Sequence, residues 1–348
     1  MKSLFSAVIA FAFLPCPATL EAAELASTPP LAALKECLAK PLPGNNECLE
    51  LLFRAALENK SPAELLRLVN KYEDEDAGLR LACHPVVHAL GREIFRVKGN
   101  IHDAFLACDQ TCHSGCYHGA VERFLRGDGT QSARHVTQTE IMQKAPVACD
   151  AKAPRRIYFQ CLHGLGHALM YFTENRLDQS LQGCDALADG WSRESCYGGV
   201  FMENLASSSP ENKKIGGDYH YPCDEVAEKF RGACYLMQTT RMQEMGLSTE
   251  GLFGECRKAG RFEAECAQSI GRDLSNAARA GGSGPAAEKC GLGEGEARRA
   301  CIRGAVYALI DNTWDWSYGA VFCAALGGED AAYCERAGGD YLKTFIDK

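Results

Sequence analysis

Cysteine spacing constrains this chain more than any other feature of its sequence. Nine cysteines, each opening a helical pattern, follow one another at intervals of 32 to 45 residues, and most intervals are close to 35. They are Cys48, Cys83, Cys116, Cys161, Cys196, Cys234, Cys266, Cys301 and Cys334. A period of this length is typical of arrays of helical hairpins, so the spacing predicts a repeat architecture.

A second cysteine precedes eight of these nine by 8 to 12 residues, near the end of an apolar helical pattern. Each hairpin then has one cysteine near the end of its first helix and one near the start of its second, which predicts a disulfide across its mouth. Closing such a loop stabilises the fold by ~2.5–3 kcal/mol. We expect Cys149–Cys161, Cys184–Cys196, Cys223–Cys234, Cys256–Cys266, Cys290–Cys301 and Cys323–Cys334.

The second repeat breaks this rule, because Cys83 has no cysteine at the usual distance upstream. The third repeat has one cysteine too many, Cys112. Parity favours a bridge between Cys83 and Cys112 across neighbouring repeats. Other pairings among these two, Cys108 and Cys116 stay open.

Small residues recur three positions after the cysteine, as Gly119, Gly164, Gly199 and Gly304. Glycine inside a helix costs about 1 kcal/mol relative to alanine. Its recurrence therefore indicates that a neighbouring backbone packs closely at this position.

These patterns predict an all-α fold, a right-handed-type solenoid of about nine disulfide-stapled helical hairpins. The spacing is similar to that of tetratricopeptide repeats, although their Trp/Gly/Tyr signature is absent. We expect one helical-repeat domain over residues 24–348. Its histidine-rich segment spans 83–170, and scaffold repeats fill 177–348.

The N-terminus has the form of a secretory signal peptide over residues 1–23, with Lys2, a short apolar run and small residues near a cleavage point. Removing Cys16 with it leaves 18 of 19 cysteines, an even number that fits an oxidising compartment. A net charge of −8 argues against a nucleic-acid partner. No later apolar run is long enough to span a membrane, so we expect a periplasmic or secreted protein.

Histidines are concentrated in one part of the array, where eight of the nine lie between His84 and His167. In two successive repeats, the side chains two and six residues after the cysteine are His118 with Glu122, and then His163 with His167. Side chains four residues apart share one face of a helix. The two pairs therefore form matched clamps on neighbouring helices.

A third pair, His84 and His88, stands one and five residues after Cys83. Aligned on the cysteines, this pair is offset by one residue and rotated by ~100° on an ideal helix. Imidazole and carboxylate groups suit zinc, iron or copper. We therefore predict a transition-metal site, and possible redox or hydrolytic chemistry, at His84, His88, His118, Glu122, His163 and His167.

Several alternatives stay open at this point. HExxH is absent and the spacing differs from the Glu-x-x-His of di-iron bundles, so no known reaction is indicated. The string from Cys108 to His113 is one residue longer than a haem c attachment motif. The histidines could instead be structural, and the chain a disulfide-stabilised scaffold that binds a protein or cell-envelope partner on its concave face. His102, His135 and His220 are interpreted as surface residues.

Overall fold

The computed structural model describes residues 29–109, 111–127, 137–206 and 215–346. The predicted signal peptide lies outside these residues. Within them the chain is helical and has no strand, which confirms the all-α prediction. The α-helices are α1 Leu31–Leu38, α2 Gly44–Ala56, α3 Pro62–Glu75, α4 Ala77–Lys98, α5 Ile101–Leu106, α6 Thr111–Arg126, α7 Gln138–Ala148, α8 Arg155–Phe172, α9 Leu177–Asp185, α10 Gly190–Ala206, α11 Glu228–Glu244, α12 Thr249–Lys258, α13 Glu263–Ala277, α14 Ser283–Gly291, α15 Gly295–Thr313, α16 Ser317–Ala325 and α17 Gly328–Tyr341.

Local signals set several helix boundaries. Ser61 and Glu64 form a capping box at the start of α3, and Pro62 takes the first helical position, where a missing N–H costs little. Asp76 caps α4 through its side chain. Gly99, with φ of 77°, ends α4 because glycine adopts the left-handed conformation without steric strain. These signals make α4 a long helix with defined ends.

The second helices of the hairpins pack side by side in one row. Their order in the row is α2, α4, α6, α8, α10, α11, α13, α15 and α17. Helix α8 is buried from Gln160 to Met170 because it packs against both α6 and α10. The three helices that carry the histidine pairs are therefore direct neighbours.

Disulfides join the hairpins as the spacing predicts. All six expected pairs are present, and Cys37–Cys48 and Cys108–Cys116 close two further hairpins. Cys83 is bonded to Cys112, which links α4 to the start of α6. This bridge spans two neighbouring repeats. Each of the others closes one hairpin, except that Cys223 lies in a turn before α11, where the structure has no first helix among residues 215–227.

Glycines bring three pairs of helices into close contact: α4 with α6, α8 with α10, and α13 with α15. A Cβ atom on Gly119 would lie 2.0 Å from the His88 carbonyl oxygen. The corresponding atom on Gly199 would lie 1.9 Å from the His163 carbonyl oxygen, and on Gly304 2.0 Å from that of Gln268. These contacts confirm that the recurrent glycine has a packing role.

The same contacts correct the alignment of α4. They make His88, His163 and Gln268 equivalent, since each faces the glycine of the partner helix. Val86 then stands where Cys161 stands in α8, so the register of α4 differs by three residues from one based on Cys83. The alignment on Cys83, with its one-residue offset, is therefore wrong.

The C-terminal end of the row returns to its middle. Trp314, which ends α15, lies 6.1 Å from the Tyr117 ring of α6 and 4.9 Å from the Arg156 guanidinium of α8. The terminal turn Leu342–Ile346 also packs against α8. A right-handed solenoid stays a prediction. Among the described residues, no helix combines the length and the apolar character needed to cross a membrane.

Candidate metal centre

Five histidine rings meet where α4, α6 and α8 lie side by side. The His118 ring is at the centre, with its centroid 4.7 to 5.6 Å from those of the other four, which are His84, His88, His163 and His167. Four of the rings are buried, and His84 is half-buried. Three helices thus bring together all five histidines of the predicted site.

His84 and His88 face each other through their Nε2 atoms, which are 2.9 Å apart. The Nδ1 atom of His84 lies 2.8 Å from the carbonyl oxygen of Cys112, and that of His88 lies 2.7 Å from a carboxylate oxygen of Glu122. Because both oxygens accept hydrogen bonds, both Nδ1 atoms donate them. When neither ring carries a second proton, each directs an Nε2 lone pair at the other.

Two lone pairs at this distance repel each other unless a proton or a cation lies between them. Nitrogen atoms bound to one ion at ~2.0–2.1 Å, with ~90–109° between the bonds, are themselves ~2.9–3.4 Å apart. The separation of the two Nε2 atoms falls in this interval. His84 and His88 are therefore spaced as two ligands of a single metal ion.

Nitrogen atoms of His118 and His167 are buried without hydrogen-bond partners. His118 is 2% exposed, and neither of its ring nitrogens has a partner among the described residues. His167 Nδ1 donates to Glu203 across a distance of 2.8 Å, while its Nε2 has no partner. A buried polar atom without a partner lowers the stability of a protein by about 1–3 kcal/mol. Binding a ligand at these nitrogens would remove that cost.

Ligand atoms of His84, His118 and His167 all lie within 4.8 Å of one another. One residue from each of three neighbouring helices therefore converges on one point. His163 flanks this group, its ring 5.0 Å from that of His167, and hydrogen-bonds to the backbone of Ser195. His84 and His167 each have one nitrogen fixed by a carbonyl or a carboxylate, as is typical of metal-binding histidines, whereas His118 has neither nitrogen fixed.

Burial keeps part of this cluster neutral. It lowers the pKa of His118 well below the usual value, and the neighbouring histidines lower it further. Burial, followed by repulsion from His167, lowers the pKa of His163 to about 3, although the Ser195 backbone opposes the shift. Neutral imidazole is the form that binds metals, so at neutral pH these rings lose no proton on binding.

Glu122, a predicted ligand, hydrogen-bonds to protein groups through both of its carboxylate oxygens. One accepts from His88, and the other accepts from Arg92 at 2.5 Å. Burial would raise the pKa of Glu122, but His88 and Arg92 together lower it far below the usual value. The carboxylate is thus ionised and lies behind His88, where it fixes the orientation of that ring.

A second group of ligand-type side chains consists of Glu73, Cys83 and Cys112. The two sulfurs are joined in a disulfide and provide no thiolate. Cys108 is likewise bonded to Cys116, so neither cysteine of the haem-like string has the free thiol that covalent haem attachment requires. These bonds favour the disulfide interpretation of the string.

His102 and His220 lie apart from the cluster. His102 is exposed, as predicted. His220 is not a surface residue: its side chain is 16% exposed and hydrogen-bonds to Tyr235 and Glu255. His135 and the side chain of His113 lie outside the part of the chain that the structure describes.

Three supporting groups were missed from the sequence. Arg92 stands four residues after His88, so its place on the same helix face was a usable signal. On α10 the position that corresponds to Glu122 and His167, six residues after the cysteine, is Met202. Glu203 follows it by one residue, so the alignment did not identify Glu203. The Cys112 carbonyl carries no signal in the sequence, because its direction depends on the local backbone, whose φ at Cys112 is 52°.

No protein-family model, curated protein or solved structure matches this chain. The function is therefore argued from the chemistry of the site.

Proposed function

We propose that this protein binds a transition-metal ion through His84, His118 and His167, with His88 as a fourth ligand. The observation that carries the proposal is that three histidines with one nitrogen already hydrogen-bonded surround His118, which has no partner on either nitrogen among the described residues. The partners of the three are the Cys112 carbonyl and the carboxylates of Glu122 and Glu203. An arrangement of structural histidines would have no reason to leave the central nitrogens unsatisfied.

The remaining predicted residues support this site in different ways. Glu122 acts through His88, with one carboxylate oxygen on the ring and the other on Arg92. His163 lies on the far side of the cluster and serves as an additional ligand or a neighbour that keeps water out. Neutral nitrogen ligands suit zinc, copper and iron.

The same proposal includes where the protein works. Nine disulfides among the described residues are typical of an oxidising compartment. We propose that residues 24–348 form a single helical-repeat domain in the periplasm or outside the cell. His84 is half-buried and the other four rings are buried, so solvent reaches the site beside His84. The ion, or a small ligand of it, exchanges on that side.

Metal content tests the proposal directly. Protein purified from an oxidising compartment, without chelators, should carry one transition-metal ion per chain by mass spectrometry of the elements. Replacing His163 and His167 together with alanine should remove it, since two buried imidazoles are lost from one face of α8. Losing a supporting partner alone costs about 10- to 100-fold in affinity, and loss of ligands should exceed this.

His220→Ala is the matched control, because His220 is also partly buried and hydrogen-bonded but lies outside the cluster. Its metal content should equal that of the wild type, and circular dichroism should be the same for all variants. Wild-type protein that takes up none of zinc, copper or iron would contradict the proposal. A scaffold that binds a protein partner would then be the better account.

A further inference from the structure

A group of charged side chains, six of them buried and two partly exposed, lies one helical turn beyond the histidines, on α2, α4 and α6. We call it the arginine cluster. It contains five arginines and three glutamates, so its formal charge is 5 − 3 = +2 in the absence of any ligand. The members are Arg54, Arg92, Arg96, Arg123, Arg126, Glu50, Glu93 and Glu122.

Each glutamate of the arginine cluster is already committed. Glu93 accepts from Arg54 at 2.9 and 3.0 Å and from Arg96 at 2.5 Å. Glu50 accepts from Arg92 at 2.5 Å and from Arg126 at 3.2 and 3.3 Å. As described above, Glu122 is divided between Arg92 and His88. Four of the five guanidinium groups thus have carboxylate partners.

Arg123 is the exception. Its side chain is 7% exposed, yet it has no hydrogen-bond acceptor among the described residues. Burial lowers its pKa, and the neighbouring charge of Arg126 lowers it further. Guanidinium groups stay charged in proteins. Glu93 and Glu50 attract this charge from a distance, but neither forms a hydrogen bond or a close ion pair with it. The nitrogen atoms of Arg123 are not fully enclosed, so an anion from outside can approach them. A largely buried cation without a close acceptor is costly, which favours such an anion.

We infer that the arginine cluster binds a small oxyanion, a phosphate or carboxylate group, with Arg123 as its principal donor. Planar guanidinium groups match the oxygens of both in paired hydrogen bonds. Arg54 and Arg96 have side chains that are 42% and 34% exposed, so the anion reaches Arg123 from their side. The donors of this site lie outside the histidine cluster, and the two sites are connected only through Glu122, which contacts both His88 and Arg92.

Titration calorimetry with inorganic phosphate, sulfate and acetate tests the inference and separates the two kinds of oxyanion. Wild-type protein, dialysed free of anions other than chloride, should bind one phosphate or one carboxylate per chain. Affinity should fall as sodium chloride is added, because salt screens the attraction. Arg123→Gln should weaken binding by about 10- to 100-fold, the usual effect of losing a charged hydrogen bond. Arg123→Lys should retain part of it.

Arg299→Gln is the control, because Arg299 is an exposed arginine on α15 far along the chain, and it should bind like the wild type. Thermal melts provide a second measurement that a purely structural role would not reproduce. Without anion, Arg123→Gln should melt at the wild-type temperature or above it, because an unpaired charge is gone. With phosphate or acetate, only the wild type and Arg123→Lys should gain stability. Wild-type protein that neither binds nor is stabilised by any of the three anions would overturn the inference, as would unchanged binding by Arg123→Gln.

Discussion

Helix pairs α4/α6 and α13/α15 have the same construction and different contents. In both, glycines press against opposite carbonyls, and the same two positions face each other across the contact. In α13/α15 these positions hold Gln268 and Arg303, and Arg303 Nε donates to Gln268 Oε1 at 3.1 Å. In α4/α6 they hold His88 and His118, whose ring centroids are 5.4 Å apart, and His118 forms no hydrogen bond with any residue that the structure describes.

This difference separates what the scaffold needs from what the site needs. Two side chains that satisfy each other are sufficient to fill the contact, as α13/α15 shows. The histidines of α4/α6 fill it less well by themselves, because buried nitrogens remain unpaired. The comparison therefore teaches that the histidines are not required by the architecture, which supports their assignment to a ligand.

The largest expected effect falls on both pairs equally. Replacing Gly119 or Gly304 with alanine places a methyl group about where a carbonyl oxygen lies, so the helices must separate. We expect each change to lower the free energy of unfolding by ~3 kcal/mol or more, as severe overpacking does. Urea denaturation of metal-free protein measures this. Metal affinity should fall only in Gly119→Ala.

Gly44→Ala is the control for these variants, since nothing lies within 4 Å of its added methyl group. If Gly119→Ala and Gly304→Ala both unfold at the wild-type urea concentration, the two pairs are not in the close contact described.

Removing disulfides should have the next largest effect and should distinguish the pairs. Replacing Cys83 and Cys112 with alanine opens a separation of 29 residues, and replacing Cys290 and Cys301 opens one of 11. We expect losses of ~3–4 and ~3 kcal/mol, respectively. Metal affinity should fall by about 10- to 100-fold in the first variant alone, because the Cys112 carbonyl orients His84. Equal metal affinities in the two variants would show that the Cys83–Cys112 disulfide has no role in metal binding.

Substitutions at the equivalent central positions should act on different properties. His118→Ala should reduce metal affinity by about 100-fold or more, ~2.7 kcal/mol, while the metal-free protein keeps most of its stability. Arg303→Ala should leave metal binding intact and cost ~1 kcal/mol of stability, since it loses a hydrogen bond to Gln268. Competition with a metal-binding dye gives the affinities. A wild-type metal affinity in His118→Ala would remove His118 from the site.

A smaller effect than that of His118→Ala is expected at Asp311, which occupies on α15 the position of Arg126 on α6. Burial raises the pKa of Asp311 to about 7, with a hydrogen bond from Tyr341 opposing the shift. The folded state therefore holds a proton that the unfolded state releases near pH 4, and stability falls as pH rises from about 4 to 7. Because the side chain is only half-buried, we expect this loss to be ~1–2 kcal/mol.

Asp311→Asn should flatten that pH dependence, with a gain in stability at pH 8 and little change at pH 4. Denaturation at the two pH values checks this. A greater gain at pH 4 would show that the sign is wrong.

The sequence predicts the hairpins and their staples well, because a disulfide within a hairpin depends on short separations that local helix lengths determine. It also identifies the histidine pairs, since side chains four residues apart share a helix face. It misplaces α4, because Cys83 looks like the other repeat cysteines while Val86 occupies their place. The correct register depends on the contact of Gly119 with His88, which joins two helices and leaves no local mark.

The contact of the C-terminal end with α6 and α8 also could not be predicted from local sequence. Trp314 and Tyr117 are nearly 200 residues apart, and nothing near either residue indicates that they meet. Likewise Glu203 orients His167 from the next helix along. Long-range contacts of this kind form only after the row of helices is assembled, so periodicity alone does not reveal them.

The contact of the C-terminal end alters how the molecule can come apart. An open array of repeats unfolds first at its last unit. Each inner unit packs against two neighbours, whereas the last unit packs against only one. In this protein the C-terminal end also contacts α6 and α8, through Trp314 and the turn at Leu342–Ile346. Deleting the C-terminal helices would therefore destabilise α6 and α8, which carry three of the clustered histidines. We expect the two halves of the chain to unfold in one cooperative transition rather than in two successive ones.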